Sequence, residues 1–144
     1  MANQTDREIV QQLDQAFAAL IVSLKDLAPS VPSDLLLRSA AAIEQMCGGL
    51  TSNLWDDPFE WTLPETLSNA DRIIEYLSEV DLARQRAFNA ISDDSALRKL
   101  ISVPSGESRL LISLLLETLV KASEFRGRAT VQTKKYTGLH DVQH

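Results

Sequence analysis

Apolar residues recur at steps of three and four along four stretches of this 144-residue sequence. That spacing places the side chains on one face of an α-helix, whereas a half-buried strand would alternate at every second residue. Breaks with proline or glycine separate the stretches, and the whole chain has only five of each. The pattern predicts an all-α protein, with long helices joined by short links in a single domain over residues 1–144, and no strand is evident.

The first two helices have defined limits in the sequence. Thr5 and Glu8 form a capping box that starts the first helix, and Pro29 ends it. Its apolar stripe is Ile9, Leu13, Phe17, Leu20, Leu24 and Leu27. The second helix starts at Ser33, a favourable N-cap residue. Its stripe is Leu36, Leu37, Ala40, Ile43, Cys47 and Leu50.

The third helix is predicted to begin at Thr62, which forms a second capping box with Glu65, and to run to about Ile91. A short extra helix is expected near residues 93–101. The stretch "SVPSGES" that follows is predicted to be a turn.

The fourth helix is predicted to begin near residues 105–107 and to end at Gly138, a glycine suited to the position after a helix. It is apolar on nearly every side from residue 110 to 120, which predicts the most buried helix of the fold. Residues 133–144 are expected to form a partly frayed tail.

Charge and cysteine content restrict the partners and the compartment. The formal net charge is −6, so phosphate backbones are repelled and nucleic acid is not expected as a partner. The single cysteine excludes an internal disulfide, as in a reducing compartment. The first residues lack the pattern of a secretory signal, and the apolar run at 110–120 is too short to span a bilayer. We expect a cytoplasmic protein without a membrane segment.

The order of the segments resembles the DinB/YfiT-like family of four-helix bundles. The helix "TLPETLSNADRIIEYLSEVDLARQRAFNAI" is followed by "SDDSALRKLI", by the turn "SVPSGES" and by a helix that contains "EFRGRA". The family's last helix commonly reads His-x-x-x-His-Arg-Gly-Gln. Here Arg126 and Gly127 match its Arg-Gly, and Arg128 replaces its Gln. The resemblance covers most of the chain and implies an up-down-down-up or related bundle.

The family's metal site consists of three histidines, one in the second helix and two in the last. The resemblance places these positions at Ser39 or a neighbour, at Lys121 and at Phe125, none of which is a suitable ligand. Glu124 lies beside the lost site. The only histidines are in the tail, at positions 140 and 144. We expect no metal, no cofactor and no catalytic residue at this place.

Other candidate residues have two interpretations each. Trp55 and Trp61 either line a pocket or cover the open end of the bundle, and the covering role is preferred. Cys47 lies on an apolar stripe, which predicts a buried, inert thiol. Gly127 lies inside the fourth helix and is interpreted as a point where a neighbouring helix or a partner backbone approaches closely; the alternative is a tolerated exposed glycine.

The preferred function is a small-molecule-binding or protein-interaction module of the DinB-like type without a metal site. The resemblance and the apolar residues all round the fourth helix indicate a homodimer. The alternative is an enzyme, namely a thiol-dependent transferase of the DinB-like type with an altered active site. Since a fold by itself does not assign a function, the site has to decide between them.

Overall fold

A computed structural model describes residues 4–30, 33–57 and 69–142, and over these residues the chain is an all-α bundle of four long helices. They are α1 (Glu8–Leu27), α2 (Ser33–Ser52), α3 (Ala70–Asn89) and α4 (Leu111–Val142). Short 3-10 helices lie at Gln4–Arg7 and Asp94–Arg98, and two three-residue strands lie at Leu100–Ser102 (β1) and Ser108–Leu110 (β2). The predicted all-α four-helix bundle is therefore confirmed.

The core lies where the apolar stripes of the four helices meet. α2 makes the most extensive contacts, with α4 and α3, and α1 packs mainly on α3. Phe17 of α1 and Phe88 of α3 are fully buried, with ring centroids 5.7 Å apart at an interplanar angle of 48°. The predicted stripe of α2 is buried up to Cys47, with Leu50 partly buried against the core.

The start of α1 differs from the prediction. Residues Gln4–Arg7 form a 3-10 turn, and Arg7 takes the N-cap position without a side-chain capping bond, so the capping box of Thr5 and Glu8 is not the start of the helix. Instead, the N–H groups of Ile9 and Val10 donate to the carboxylate of Asp94, at 3.1 Å and 2.9 Å. Ile9 is 47% exposed, and Val10 occupies the place in the core that was predicted for Ile9. The orphan N–H groups of a helix start can donate to any nearby acceptor, including one that is distant in the sequence.

The end of α2 is closed by a residue with left-handed backbone conformation. Asn53 has φ 56°, and its N–H donates to the carbonyl of Gly49 at 3.1 Å. The next N–H, of Leu54, donates to the carbonyl of Gly48 at 3.1 Å. A Cβ on Gly48 would lie 3.0 Å from the Leu54 carbonyl oxygen, so the two glycines let the chain fold back closely over the helix end.

α3 as described begins at Ala70, with the side chain of Asn69 accepting a hydrogen bond from the Arg72 N–H at 3.0 Å. The predicted start at Thr62 lies outside the described residues. The helix ends at Asn89, close to the predicted end.

The short helix expected near 93–101 is wrong in its second half. Only Asp94–Arg98 is helical, as a 3-10 turn capped by Asp93, and β1 follows. β1 and β2 pair antiparallel in the register Leu100↔Leu110, Ile101↔Arg109 and Ser102↔Ser108. The turn predicted in "SVPSGES" is confirmed, since Gly106 adopts φ +89° and its N–H donates to the carbonyl of Val103 at 2.9 Å. The helix was predicted too long because the residues before this turn pair with those after it.

α4 starts later and ends later than predicted. Its start moves to Leu111 because residues 108–110 pair in the hairpin. At the other end it continues through Gly138 to Val142. A single glycine costs a helix only about 1 kcal/mol, so it does not by itself end one. The expected fraying of residues 133–144 stays a prediction.

Side-chain contacts of Arg84 and Tyr76 join α3 to α1 and α2. Arg84, 9% exposed, donates to Asp14 of α1 and to Asp81, one turn earlier on α3. The hydroxyl of Tyr76 donates to Glu44 of α2 at 2.5 Å. Burial raises the pKa of Glu44, although the bond from Tyr76 opposes that shift. None of the helices in the described part of the chain has the length and apolar character needed to cross a membrane.

Candidate functional site

A small cavity lies between α2, α4 and the segment that follows α2. Its volume is about 40 Å³, and it is lined by Arg38, Ala42, Gln45, Asp57, Lys121 and Phe125. The α2 residues follow each other at steps of four and three, and the α4 residues at a step of four, so each set occupies one helix face. The volume suffices for water but not for an organic ligand.

The structure brings together two of the residues singled out from the sequence and separates two others. Lys121 and Phe125 both line the cavity. Ser39 does not, because its buried hydroxyl donates to the carbonyl of Ala122 at 2.7 Å and so joins α2 to α4. Glu124 is exposed and is not part of the lining.

A larger groove continues from this cavity and shares Ala42, Gln45 and Lys121 with it. Its volume is about 410 Å³, which lies within the range of sites for small organic molecules. The remaining lining comes from α2, the hairpin, α4 and the segment after α2: Met46, Trp55, Val103, Pro104, Arg109, Leu114 and Thr118. We refer to this space as the α2–α4 groove.

The lining of the α2–α4 groove carries positive charge, whereas the chain as a whole is negatively charged. Its described residues include the cations Arg109 and Lys121 and no carboxylate, although the chain carries a net charge of −6. Arg109 also pairs with the exposed carboxylate of Glu117. Aliphatic and aromatic side chains supply the rest of the wall, and Thr118 and Gln45 add hydrogen-bonding groups. Such a lining suits a small molecule with an apolar body and an anionic group.

Trp55 forms one wall of the groove and is held in place by local contacts. Its indole N–H donates to the side-chain oxygen of Asn53 at 2.9 Å, and its carbonyl accepts from the Gln45 amide at 2.7 Å. The ring lies so close to Gly49 that a Cβ on this glycine would overlap it. Trp55 therefore covers the end of α2 and lines the groove as well. Trp61 lies outside the described residues.

The cavity is poorly suited to a metal cation. Its one carboxylate, Asp57, shares the lining with the cations Arg38 and Lys121. Over residues 4–30, 33–57 and 69–142, no three His, Cys, Asp or Glu side chains lie close enough together to hold an ion. The side chains of the tail histidines, at 140 and 144, are not among those described.

Cys47 has the buried environment predicted for it. Its side chain is 1% exposed, and burial raises the pKa of the thiol to about 12, with the Arg84 charge acting in the opposite direction. At neutral pH the thiol stays protonated, whereas the thiolate is the reactive nucleophile. The Cys47 thiol therefore has the properties of a structural cysteine and not of a nucleophile.

The polar lining residues not identified from the sequence are Arg38, Gln45, Asp57, Arg109 and Thr118. Arg38 and Gln45 share a helix face with Ala42, and this spacing could have revealed them once the cavity-facing side of α2 was known. Arg109 reaches the groove from β2, a strand that local periodicity does not predict.

The fold and the groove together define an all-α four-helix bundle with a β-hairpin before its last helix and a ligand-sized groove beside that hairpin. No family model, no curated protein and no solved structure matches the chain. The resemblance to the DinB/YfiT-like family stays a prediction.

Proposed function

We propose that this chain is a small-molecule-binding module without a metal site, and that its ligand is a small organic anion with an apolar body, bound in the α2–α4 groove. The observation that supports this proposal is the groove lining, in which Arg109 and Lys121 are the only charged residues among those described. A carboxylate, sulfonate or phosphate group would contact these cations, and the apolar part would lie against Trp55, Leu114 and Met46.

The preference for a binding module over an enzyme follows from the reactive groups at hand. The buried thiol of Cys47 stays protonated, and Ser39 donates its hydroxyl proton to a backbone carbonyl. The alternative is a thiol-dependent transferase with an altered site. It would use the same groove and would need a group that activates the thiol of its bound substrate. Lys121 is the cation that the groove and the small cavity share. Substitution of Lys121 therefore tests both functions.

The test titrates the protein with the fluorescent sulfonate 8-anilinonaphthalene-1-sulfonate, an anion with an aromatic body. We expect saturable binding at one site. Lys121→Ala should weaken it by a factor of about 10 to 150, since one lost charge-assisted contact is worth about 1.5–3 kcal/mol. Lys99→Ala is the matched control, because Lys99 is exposed and outside the groove lining.

Equal losses in both variants, or no saturable binding by folded wild-type protein, would contradict the proposed site. Circular dichroism of the same samples controls for unfolding, because the probe also binds loosely packed states. Elemental analysis separates the alternative: stoichiometric nickel, zinc or iron that survives dialysis would favour the transferase over the metal-free module.

We also propose that the chain forms a homodimer in a reducing compartment such as the cytoplasm. α4 supports the dimer because Leu116, Val120 and Val131 are each about half exposed. Large apolar side chains exposed together on one helix are typical of interaction surfaces. The single, buried cysteine fits the compartment.

A further inference from the structure

α4 carries an exposed face that the described residues of its own bundle leave uncovered. Leu116, Val120, Gly127 and Val131 follow each other at steps of four, seven and four, so they lie on one side of the helix. Leu116 is 46% exposed, Val120 57% and Val131 53%. We call these four residues the α4 stripe.

Gly127 leaves a notch in the α4 stripe, and no described residue of the same chain fills this notch. A Cβ built on this glycine would meet no atom within 4 Å. The close helix approach expected within the bundle is therefore wrong, because the neighbouring helices do not reach this side of α4. Glycine is a poor helix former, yet it lies here in the interior of a long helix. Two explanations of Gly127 remain, a tolerated exposed glycine and a contact with a second molecule, and the variants below distinguish them.

We propose that two copies of this chain pair through their α4 stripes, antiparallel and about a two-fold axis that passes between Ser123 and Glu124. The stripe is symmetric about that point. Leu116 then lies opposite Val131 of the partner subunit, and Val120 lies opposite the partner's Gly127, so that a large side chain enters the notch of the other copy. This arrangement rests on the proposed homodimer and assigns its surface, orientation and register.

Charges along one edge of the stripe fit the same arrangement. Glu117, Lys121, Glu124 and Arg128 follow each other at steps of four, three and four beside the stripe. In an antiparallel two-fold pair, this edge of one helix lies beside the same edge of the partner's helix. Glu117, which already contacts Arg109 of its own chain, then approaches the partner's Arg128, and Lys121 approaches the partner's Glu124. Opposite charges meet in both cases, which lets two acidic chains associate.

The other edge of the stripe adds apolar surface to the contact. A shallow groove of about 370 Å³ lies there between α1 and α4, and its lining combines apolar and small side chains with one cation, Arg126. The other lining residues are Ala16, Ala19, Leu20, Ser23, Leu119 and Ser123. Small side chains along this edge allow the second copy to approach closely. A parallel pair would instead place Val120 against its own copy and leave both notches empty. The sizes and the charges of this face therefore select a second copy in antiparallel orientation.

The decisive variant is Gly127→Leu, measured by sedimentation equilibrium and by thermal unfolding. Among the described residues of one chain, a Cβ at this position meets no atom within 4 Å, so we expect the variant to fold and its helix to be strengthened. Across the proposed interface it occupies the space of the partner's Val120, and the dimer dissociation constant should rise by about tenfold or more. Leu82→Ala is the control, because Leu82 is a half-exposed residue of α3, away from the stripe.

Cross-linking tests the orientation. Leu116→Cys and Val131→Cys proteins are mixed and oxidised, and the antiparallel register predicts a disulfide between the two variants and none within either alone. Cys47 does not compete because it is buried. Glu124→Lys should weaken the dimer, and adding Lys121→Glu to it should restore association.

Each outcome decides a different statement. A wild-type monomer overturns the homodimer and this arrangement together. A dimer that Gly127→Leu leaves intact, or that cross-links Leu116→Cys protein to itself, overturns the arrangement alone. Because Lys121 belongs both to the groove lining and to the proposed intersubunit pair, sulfonate binding is also measured in Gly127→Leu protein, which leaves the groove lining unchanged.

Discussion

Asp94 shows how one side chain can define the start of a helix far away in the sequence. It accepts from the N–H groups of Ile9 and Val10, 85 and 84 residues earlier, and so satisfies two donors that a helix start leaves open. Its negative charge also lies at the positive end of the helix dipole. The bond joins the first helix to the connection between α3 and the hairpin.

Asp94→Ala should therefore lower the free energy of unfolding by about 0.5–2 kcal/mol, the range for the loss of an N-cap. Urea unfolding of the variant beside the wild type measures the difference. Asp94→Asn is the control, since it keeps one acceptor oxygen and should cost less. An alanine variant as stable as the wild type would show that the two contacts contribute nothing.

At the scale of the elements, the end of α2 depends on the fit between Gly49 and the ring of Trp55. A Cβ on Gly49 would overlap this ring, so alanine at this position forces Trp55 to move. We expect Gly49→Ala to destabilise the protein by about 1–3 kcal/mol, as overpacking does. Thermal unfolding provides the measurement.

A double-mutant cycle isolates the cause. In a Trp55→Ala background the clash is gone, and Gly49→Ala should be neutral or stabilising because alanine is the better helix former. If Gly49→Ala costs the same in both backgrounds, the ring of Trp55 is not the reason for the glycine.

The elements also show how far the sequence could predict this fold. α2 was predictable because its start at Ser33 and its apolar stripe are local signals, and both are observed. The turn of the hairpin was predictable from Pro104 and Gly106, which favour extended and left-handed backbone. Its two strands were missed because Leu100–Ser102 and Ser108–Leu110 are too short to show alternation.

The candidate site was predictable only in part, for a related reason. Lys121 and Phe125 share a helix face by their spacing, so their common place in the cavity follows from α4 alone. Arg109 enters the groove through the hairpin, and Asp94 reaches α1 through the tertiary fold. Neither position can be read from local periodicity.

For the whole molecule, Arg84 is the polar link between α1 and α3. Its guanidinium bonds to Asp14 and Asp81, whose side chains are 35% and 29% exposed, while its own is 11% exposed. Burial of Asp81 acts to raise its pKa, but the hydrogen bond and charge of Arg84 outweigh this and hold the pKa below its usual value. The bond from Arg84 to Asp81 is therefore complete only while the Asp81 carboxylate is ionised.

Arg84→Met should lower the free energy of unfolding at pH 7 by about 1–3 kcal/mol, less than for a fully buried pair because water reaches both carboxylates. Since the folded pKa of Asp81 lies below its unfolded value of 3.8, the contribution is present above that pH and is lost as the pH falls through the lower folded value.

The stability difference between variant and wild type should accordingly shrink below about pH 4. Glu44, with its raised pKa, changes stability in the opposite direction, but it does so in both proteins and cancels in the comparison. Denaturant unfolding at several pH values gives the profile. A difference that stays constant down to the lowest pH would contradict a role for the ionised carboxylates.

The contact between Asp94 and the start of α1 has a consequence for how the molecule opens. The amide protons of Ile9 and Val10 are held by a side chain from the 3-10 turn after α3, not by their own helix. They can exchange with solvent deuterium whenever that turn detaches, even while the rest of α1 stays closed. The labelling rates of these two amides therefore report the opening of a segment more than 80 residues away along the chain.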